Sequence, residues 1–175
     1  MLLHQIIANV LGLDVWIGSA FNSTVPSILI LGESTFGSST PLQTYVPAWI
    51  AGTETDAFFT RVYTDCSASP RFKGMSRQTF WNSIAFYNYV PGSIGPSIKN
   101  RPTPAQFKSG IRPLHWLLDA LRPAGVFVIG YGHADYSRLV VQAHGIPYVI
   151  VPHPRKGVAS TFITQSLDVL VRISA

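Results

Sequence analysis

The chain reads as an α/β domain built on a mostly parallel sheet, and three observations predict it. Four apolar runs, Ser27–Leu31, Ile84–Val90, Gly125–Ile129 and Tyr148–Val151, have strand length and are bounded by turn residues. Segments with helical spacing separate the runs, which favours parallel connections over hairpins. Each run also delivers a polar group near its carboxyl end: Gly32-Glu33-Ser34, Asn88, Gly130-Tyr131-Gly132 and His153-Pro154 in turn. Ligands of parallel sheets bind at those ends, so the pattern that predicts the fold also places a site.

The first helix is expected at the N-terminus, where Leu2, Leu3, Ile6, Ile7, Val10 and Leu11 recur at helical spacing. Without a basic leader it reads as a docking helix and not as a signal peptide. Asn22–Pro26 leads into the first strand, and Phe36–Gly52, which has no clear period, reads as a long functional loop. Thr53 with Asp56 suggests the capping pair of a helix carrying Phe58, Phe59 and Val62. Ser76 opens a short helix through Phe80 and Trp81 that runs into the second strand. Pro91–Arg101 is a loop broken by Gly92, Gly95 and Pro96. Thr103 then caps a helix with Pro104 in its first turn. That helix carries Phe107, Leu114, Leu117, Leu118 and Leu121, with a kink expected at Pro113. A helix over Ala134–His144 stops at Gly145, and a last one spans about Ser160–Ile173. The whole of 1–175 is expected to form a single domain, with no internal repeat.

Composition narrows the function classes. Charged residues make up 12% of the 175, against roughly 25% in an ordinary soluble chain, and mean hydropathy is +0.25. The apolar runs are nevertheless strand-sized, far short of the ~20 residues that span a bilayer, so no membrane association is expected. Cys66 is the only cysteine, which excludes an internal disulfide and argues against a cysteine-held metal or cluster. This fits a reducing cytoplasm, and no cofactor is expected. The net charge is +5, and no Asp or Glu occurs between Cys66 and Leu118, where Arg71, Lys73, Arg77, Lys99, Arg101, Lys108 and Arg112 fall. Basic side chains in such loops suit phosphates, although a solvated basic surface has the same composition.

The residues at the strand ends carry the chemistry. The Asn88 carboxamide offers an acceptor beside an NH2 donor, which matches the N3–H and O4 edge of uracil or the same edge of hypoxanthine. A good bidentate contact of this kind contributes about 1–3 kcal/mol of discrimination. The alternative is an Asn bonded to a neighbouring loop. The His153 imidazole N–H can stabilise a base anion as a glycosidic bond breaks, or it can be satisfied within its own turn. Arg155 and Lys156 follow directly and suit phosphate contact. Gly32 opens a turn whose backbone N–H groups can cradle an anion or a water, and Glu33 can activate that water or anchor the loop. Phe36 can stack on a base or belong to the core.

Taken in order, these motifs resemble the uracil-DNA glycosylase superfamily. Leu29-Ile30-Leu31-Gly32-Glu33 is similar to the Gly-Glu-Ala-Pro-Gly turn of its iron–sulfur type. Phe86-Tyr87-Asn88-Tyr89-Val90, followed by Asn100-Arg101-Pro102-Thr103-Pro104, is similar to that type's strand-end Asn and its Asn-Arg-Pro-Pro-Thr-Pro stretch. Val151-Pro152-His153-Pro154 is similar to the His-Pro-Ser motif before the DNA-penetrating loop. The resemblance covers most of the chain from Ser27 onward. It implies a three-layer α/β/α fold with a short four-stranded parallel sheet. The implied activity is hydrolysis of the N-glycosidic bond of uracil or a related deaminated base in DNA. In that reading Glu33, Ser34 and His153 are catalytic, Gly32, Phe36 and Asn88 bind the base, and Arg101, Arg155 and Lys156 bind the strand. The chain departs from the family in four places, one of them Arg155 in place of the Ser of His-Pro-Ser. It lacks the four cysteines, so no cluster is implied. Thr35 replaces the Pro of the first motif, and Ser34 stands where many members carry a water-activating Asp or Asn.

Two other functions compete. One is a non-catalytic nucleic-acid or nucleotide-binding relative, with the same pocket and no competent water. The other is a serine esterase, since Gly32-Glu33-Ser34 resembles the Gly-Asp-Ser block of lipase-like enzymes, with Ser34 as nucleophile and His153 as base. Those enzymes place an Asp three residues before the histidine, where this chain has Ile150. DNA is the expected partner and a monomer the expected state.

Overall fold

Apolar alternation along the strands decides the architecture. The computed structural model describes residues 11–23, 26–37, 40–97, 99–154 and 160–174. The N-terminal docking helix expected over residues 1–10 lies outside them. Strand β2 (Ile28–Gly32) is buried along its length. Its Ile28 and Ile30 point to one core and its Leu29 and Leu31 to another. The same alternation holds on β3 (Ile84–Asn88), β4 (Gly125–Ile129) and β5 (Tyr148–Val151). A strand buried on both faces must be covered by helices on both, and parallel strands are the usual result. β3, β2, β4 and β5 pair parallel in that spatial order, which sets β2 beside β4.

The sheet has five strands and is mixed, which corrects the expectation of four parallel strands. β1 (Val15–Ile17) runs antiparallel on the outer edge of β3, with Val15 opposite Tyr87. Three residues are too few for alternation to show in sequence. They become a strand because the edge of β3 offers unpaired backbone groups, and Trp16 Nε1 donates to the Trp81 carbonyl at 2.8 Å to fix the register.

Helices α1 (Leu42–Ala51), α2 (Ala57–Ser67), α3 (Arg77–Asn82) and α7 (Ser160–Ile173) cover the first face. Helices α4 (Pro104–Ser109), α5 (Ile111–Leu121) and α6 (Ala134–Ala143) lie on the second. The result is three layers, α/β/α. Helix α1 lies within the stretch expected to be a loop. Pro47 inside it and the absence of a local side-chain cap hide it in sequence. Its cap comes from a distance, since Leu42 N donates to Asp14 Oδ1 at 2.7 Å, and Leu42, Val46 and Trp49 bury one stripe.

Two capping expectations need correcting. Asp56, not Thr53, caps α2, accepting from Phe59 N at 2.9 Å, whereas the Thr53 hydroxyl donates to the Ala48 carbonyl at the end of α1. The helix expected to kink at Pro113 instead breaks earlier, at Gly110. A Cβ at Gly110 would overlap the Tyr89 carbonyl, so the two helices meet where only glycine fits, and Pro113 sits harmlessly in the first turn of α5. Thr103 and Gln106 form the reciprocal capping box of α4.

Asp56→Ala should therefore cost about 1 kcal/mol in urea denaturation, whereas Thr53→Ala should stay within a few tenths. The reverse ranking would mean that Thr53 is the cap.

Candidate functional site

The carboxyl ends of the four parallel strands line up as one edge, with Asn88 opposite Gly32 and Gly130 N donating to the Val151 carbonyl at 2.8 Å. Pairing continues beyond the strands. Tyr89 N and Val90 N donate to the Gly32 and Glu33 carbonyls at 2.9 Å, and Ile94 N donates to Thr35 O at 3.1 Å. Thr35 and Ser93 form a further parallel bridge. Pairing thus persists through Gly32-Glu33-Ser34-Thr35, which is not a free turn.

That persistence separates the expected site residues. Gly32 shares the face of Ile28 and Ile30, where a Cβ would lie 2.6 Å from Asn88 Oδ1 and 3.1 Å from the Phe86 ring. Glycine here makes room for the Asn88 carboxamide to lie against the strand. Among the described residues that carboxamide makes no hydrogen bond, so it is not committed to a neighbouring loop. His153 joins the same face through an aromatic bridge: its ring lies 5.1 Å from that of Phe58, which lies 5.9 Å from that of Phe86. Asn88 and His153 therefore stand at one end of a common aromatic floor.

Glu33 goes the other way. A Cβ at Gly132 would overlap Glu33 Oε2 and approach the Phe107 ring at 3.4 Å, and one at Gly130 would lie 3.7 Å from the same oxygen. Phe107 packs on the second core and stacks on Tyr136 at 5.6 Å. The Glu33 carboxylate is accordingly on the α4–α6 side, across the sheet edge from Asn88 and His153. The expectation that all three face one crevice is corrected to two and one. Burial raises the Glu33 carboxyl pKa, and the charge of Arg101 opposes this.

Ser34 is half-buried. Its hydroxyl is buried without a partner, so no hydrogen bond joins it to His153. Phe36 is half-buried and stacks on no described ring. Arg155 and Lys156 lie outside the described residues, so only Arg101 of the expected strand-binding group is placed, exposed beside Glu33.

Two residues here escaped the sequence reading. Phe58 was grouped with Phe59 as core, yet only Phe59 is fully buried. A doublet at the start of a helix cannot direct both rings inward, and that is the available signal. His133 follows Gly132, is fully buried, and stacks on Tyr89 at 5.1 Å. Its Nε2 donates to the Ile129 carbonyl at 3.1 Å, which leaves Nδ1 as an unprotonated, unpartnered acceptor. Burial lowers its pKa to about 4 despite that hydrogen bond. Cys66 is buried and burial pushes its thiol pKa well up, which makes it inert. Among the described residues no group of three or more His, Cys, Asp or Glu side chains stands where it could hold a metal ion.

The described residues form an α/β fold with helices on both faces of a mixed sheet, and polar and aromatic side chains gather where its four parallel strands end. The chain matches no family model and no curated protein.

The two shifted groups give opposite pH dependences. A carboxyl whose pKa is raised by folding contributes stability at low pH and loses it as pH rises through the folded value. Glu33→Gln should thus raise the thermal midpoint at pH 7, with the gain vanishing below the ordinary value of 4.5. For His133 the folded pKa is lowered, so stability should fall as pH drops from 6.5 towards about 4, and His133→Gln should flatten that limb. Midpoints that do not respond to either substitution across this range would contradict the burial of both groups.

Proposed function

We propose that the protein takes a single nucleobase, turned out of a DNA strand, and hydrolyses its N-glycosidic bond, with uracil or a related deaminated base as substrate. The observation that carries this reading is the uncommitted Asn88 carboxamide on the same face as His153, over Phe58 and Phe86. The resemblance to the uracil-DNA glycosylase superfamily supports it, as does the order of the four parallel strands. A base reaching this edge finds a donor–acceptor pair for its Watson–Crick edge, an aromatic ring at its face, and an imidazole for its carbonyl.

In this reading the C1′–N bond breaks with its electron pair passing to the base. His153 stabilises the base anion, and water adds to C1′ and loses a proton. Phe58 takes the stacking role expected of Phe36. Glu33, turned to the other face, acts by holding the Gly130–Gly132 turn and not by activating the water. With Glu33 on the other face, rate enhancement rests on leaving-group stabilisation. Arg101 contacts the strand together with Arg155 and Lys156. The buried lone thiol suits a reducing compartment such as the cytoplasm. Among the described residues no helix is long and apolar enough to cross a membrane.

The orientation of Glu33 also favours a second reading, a non-catalytic relative that binds the base without cleaving it. No observation favours the esterase, since the Ser34 hydroxyl has no base bonded to it.

Oligonucleotides carrying uracil, hypoxanthine or xanthine, followed by alkaline cleavage, separate the first two readings. A glycosylase should release free base. His153→Ala should then lower the single-turnover rate about 10²–10³-fold with little loss of DNA affinity, because the anion exists only in the transition state. Asn88→Ala and Phe58→Ala should weaken binding as well as rate, whereas Glu33→Gln should change the rate only a few-fold. Base-specific binding without release would establish the non-catalytic relative. Neither binding nor release would end both readings.

A further inference from the structure

A second candidate site lies at the opposite end of the sheet. Where the chain leaves β1 and where α3 enters β3, a cleft of about 540 Å³ opens at the amino ends of the strands. Its volume lies within the range of about 300–1,000 Å³ usual for small-molecule sites. Arg71 supplies the only charge in its lining, and no acidic side chain contributes. The Arg71 Nε is buried without a hydrogen-bond partner. Its guanidinium lies 5.3 Å from the Phe72 ring and forms no ion pair with any described residue. Arg71 lines the cleft, so an anion arriving there meets a guanidinium that no described carboxylate has claimed.

The neighbours of Arg71 are donors as well. Gln78 and Asn82 are four residues apart on α3, which puts both carboxamides on one side of the helix, and Ser19 and Ser23 face them from the other wall. None of these four side chains is engaged in a hydrogen bond among the described residues. Met75 and Ala20 add an apolar margin. Four uncommitted donor side chains together with the guanidinium exceed what the two oxygens of a carboxylate can satisfy, whereas a tetrahedral oxyanion has the acceptors. The cleft is also far larger than a bare phosphate fills.

We propose that this cleft binds the phosphate of a small phosphomonoester, with Arg71 as the charge partner, Gln78, Asn82, Ser19 and Ser23 as neutral donors, and the rest of the ligand against Met75. The assignment does not rest on the glycosylase reading, which concerns the other end of the sheet.

Two-dimensional amide NMR provides the test, with inorganic phosphate, ribose 5-phosphate and a single-stranded oligonucleotide as separate titrants and sodium chloride at matched ionic strength as the control. Saturable shifts should appear at Ser19, Ser23, Gln78 and Asn82 with both phosphates, tighter for ribose 5-phosphate, and not with chloride. Arg71→Met should weaken binding at least tenfold without lowering the thermal midpoint of the free protein, since the buried donor it removes is unsatisfied. Gln78→Leu, on the exposed side of a short helix, should weaken binding without touching the guanidinium and serves if Arg71→Met does not fold. Equal shifts with chloride, or unchanged phosphate binding in the variants, would overturn the site. Saturation by the oligonucleotide alone would overturn the small ligand in favour of a backbone phosphate.

Discussion

The alternation of side chains along Ile28–Glu33 is the constraint on which the rest depends. Because β2 is central and buried on both faces, every second residue must enter one of two cores, and a slip of one residue would exchange Ile28 and Ile30 with Leu29 and Leu31. The register with β3 and β4 therefore decides which side chains enter which core. Continued pairing past the strand carries the alternation into the polar segment. Gly32 keeps the face of Ile30, and Glu33 takes the face of Leu31. The division of the site into an Asn88–His153 side and a Glu33 side is thus a packing consequence.

Glycine makes the edge usable. Gly32 lets a carboxamide lie against a strand, and Gly132 lets a carboxylate lie against the turn into α6. Both positions are chosen by close approach, since at each the space for a Cβ is already taken by a functional side chain. Gly130 differs in kind: its φ of 101° is one that side-chain-bearing residues rarely adopt. The turn between β4 and α6 therefore combines a conformational and a steric demand within three residues. That combination places His133 beneath the edge, buried and neutral.

What the sequence made legible follows the range of the forces involved. The central strands and the caps at Ser76 and Thr103 rest on local pattern and were readable. Strand β1 and helix α1 were not, because each is completed from a distance: β1 by the free edge of β3, and α1 by a cap from Asp14. The site was legible as a set of positions but not as a geometry. Asn88 and Gly32 are brought together by the β2–β3 register. Whether Glu33 joins them depends on whether its loop turns or continues, and only the long-range bonds to Tyr89, Val90 and Ile94 decide that. The place of Phe58 was hidden for the same reason, since it reaches His153 through tertiary packing of α2.

Charge is distributed less simply than the acid-free span from Cys66 to Leu118 suggests. Three of its seven cations lie over aromatic rings: Arg71 on Phe72, Arg77 on Trp49 and Arg112 on Trp116. Such contacts hold a guanidinium near the surface at a cost in freedom to reach a phosphate. The span is also divided by the fold. Arg71, Lys73 and Arg77 precede β3 and so fall toward its amino end, whereas Arg101 acts at the carboxyl edge on Glu33. A contiguous run of basic sequence therefore does not make one contiguous basic surface. An elongated strand lying along the carboxyl edge would meet Arg101 but not the first group, so two separate anion-binding regions fit this distribution better than one.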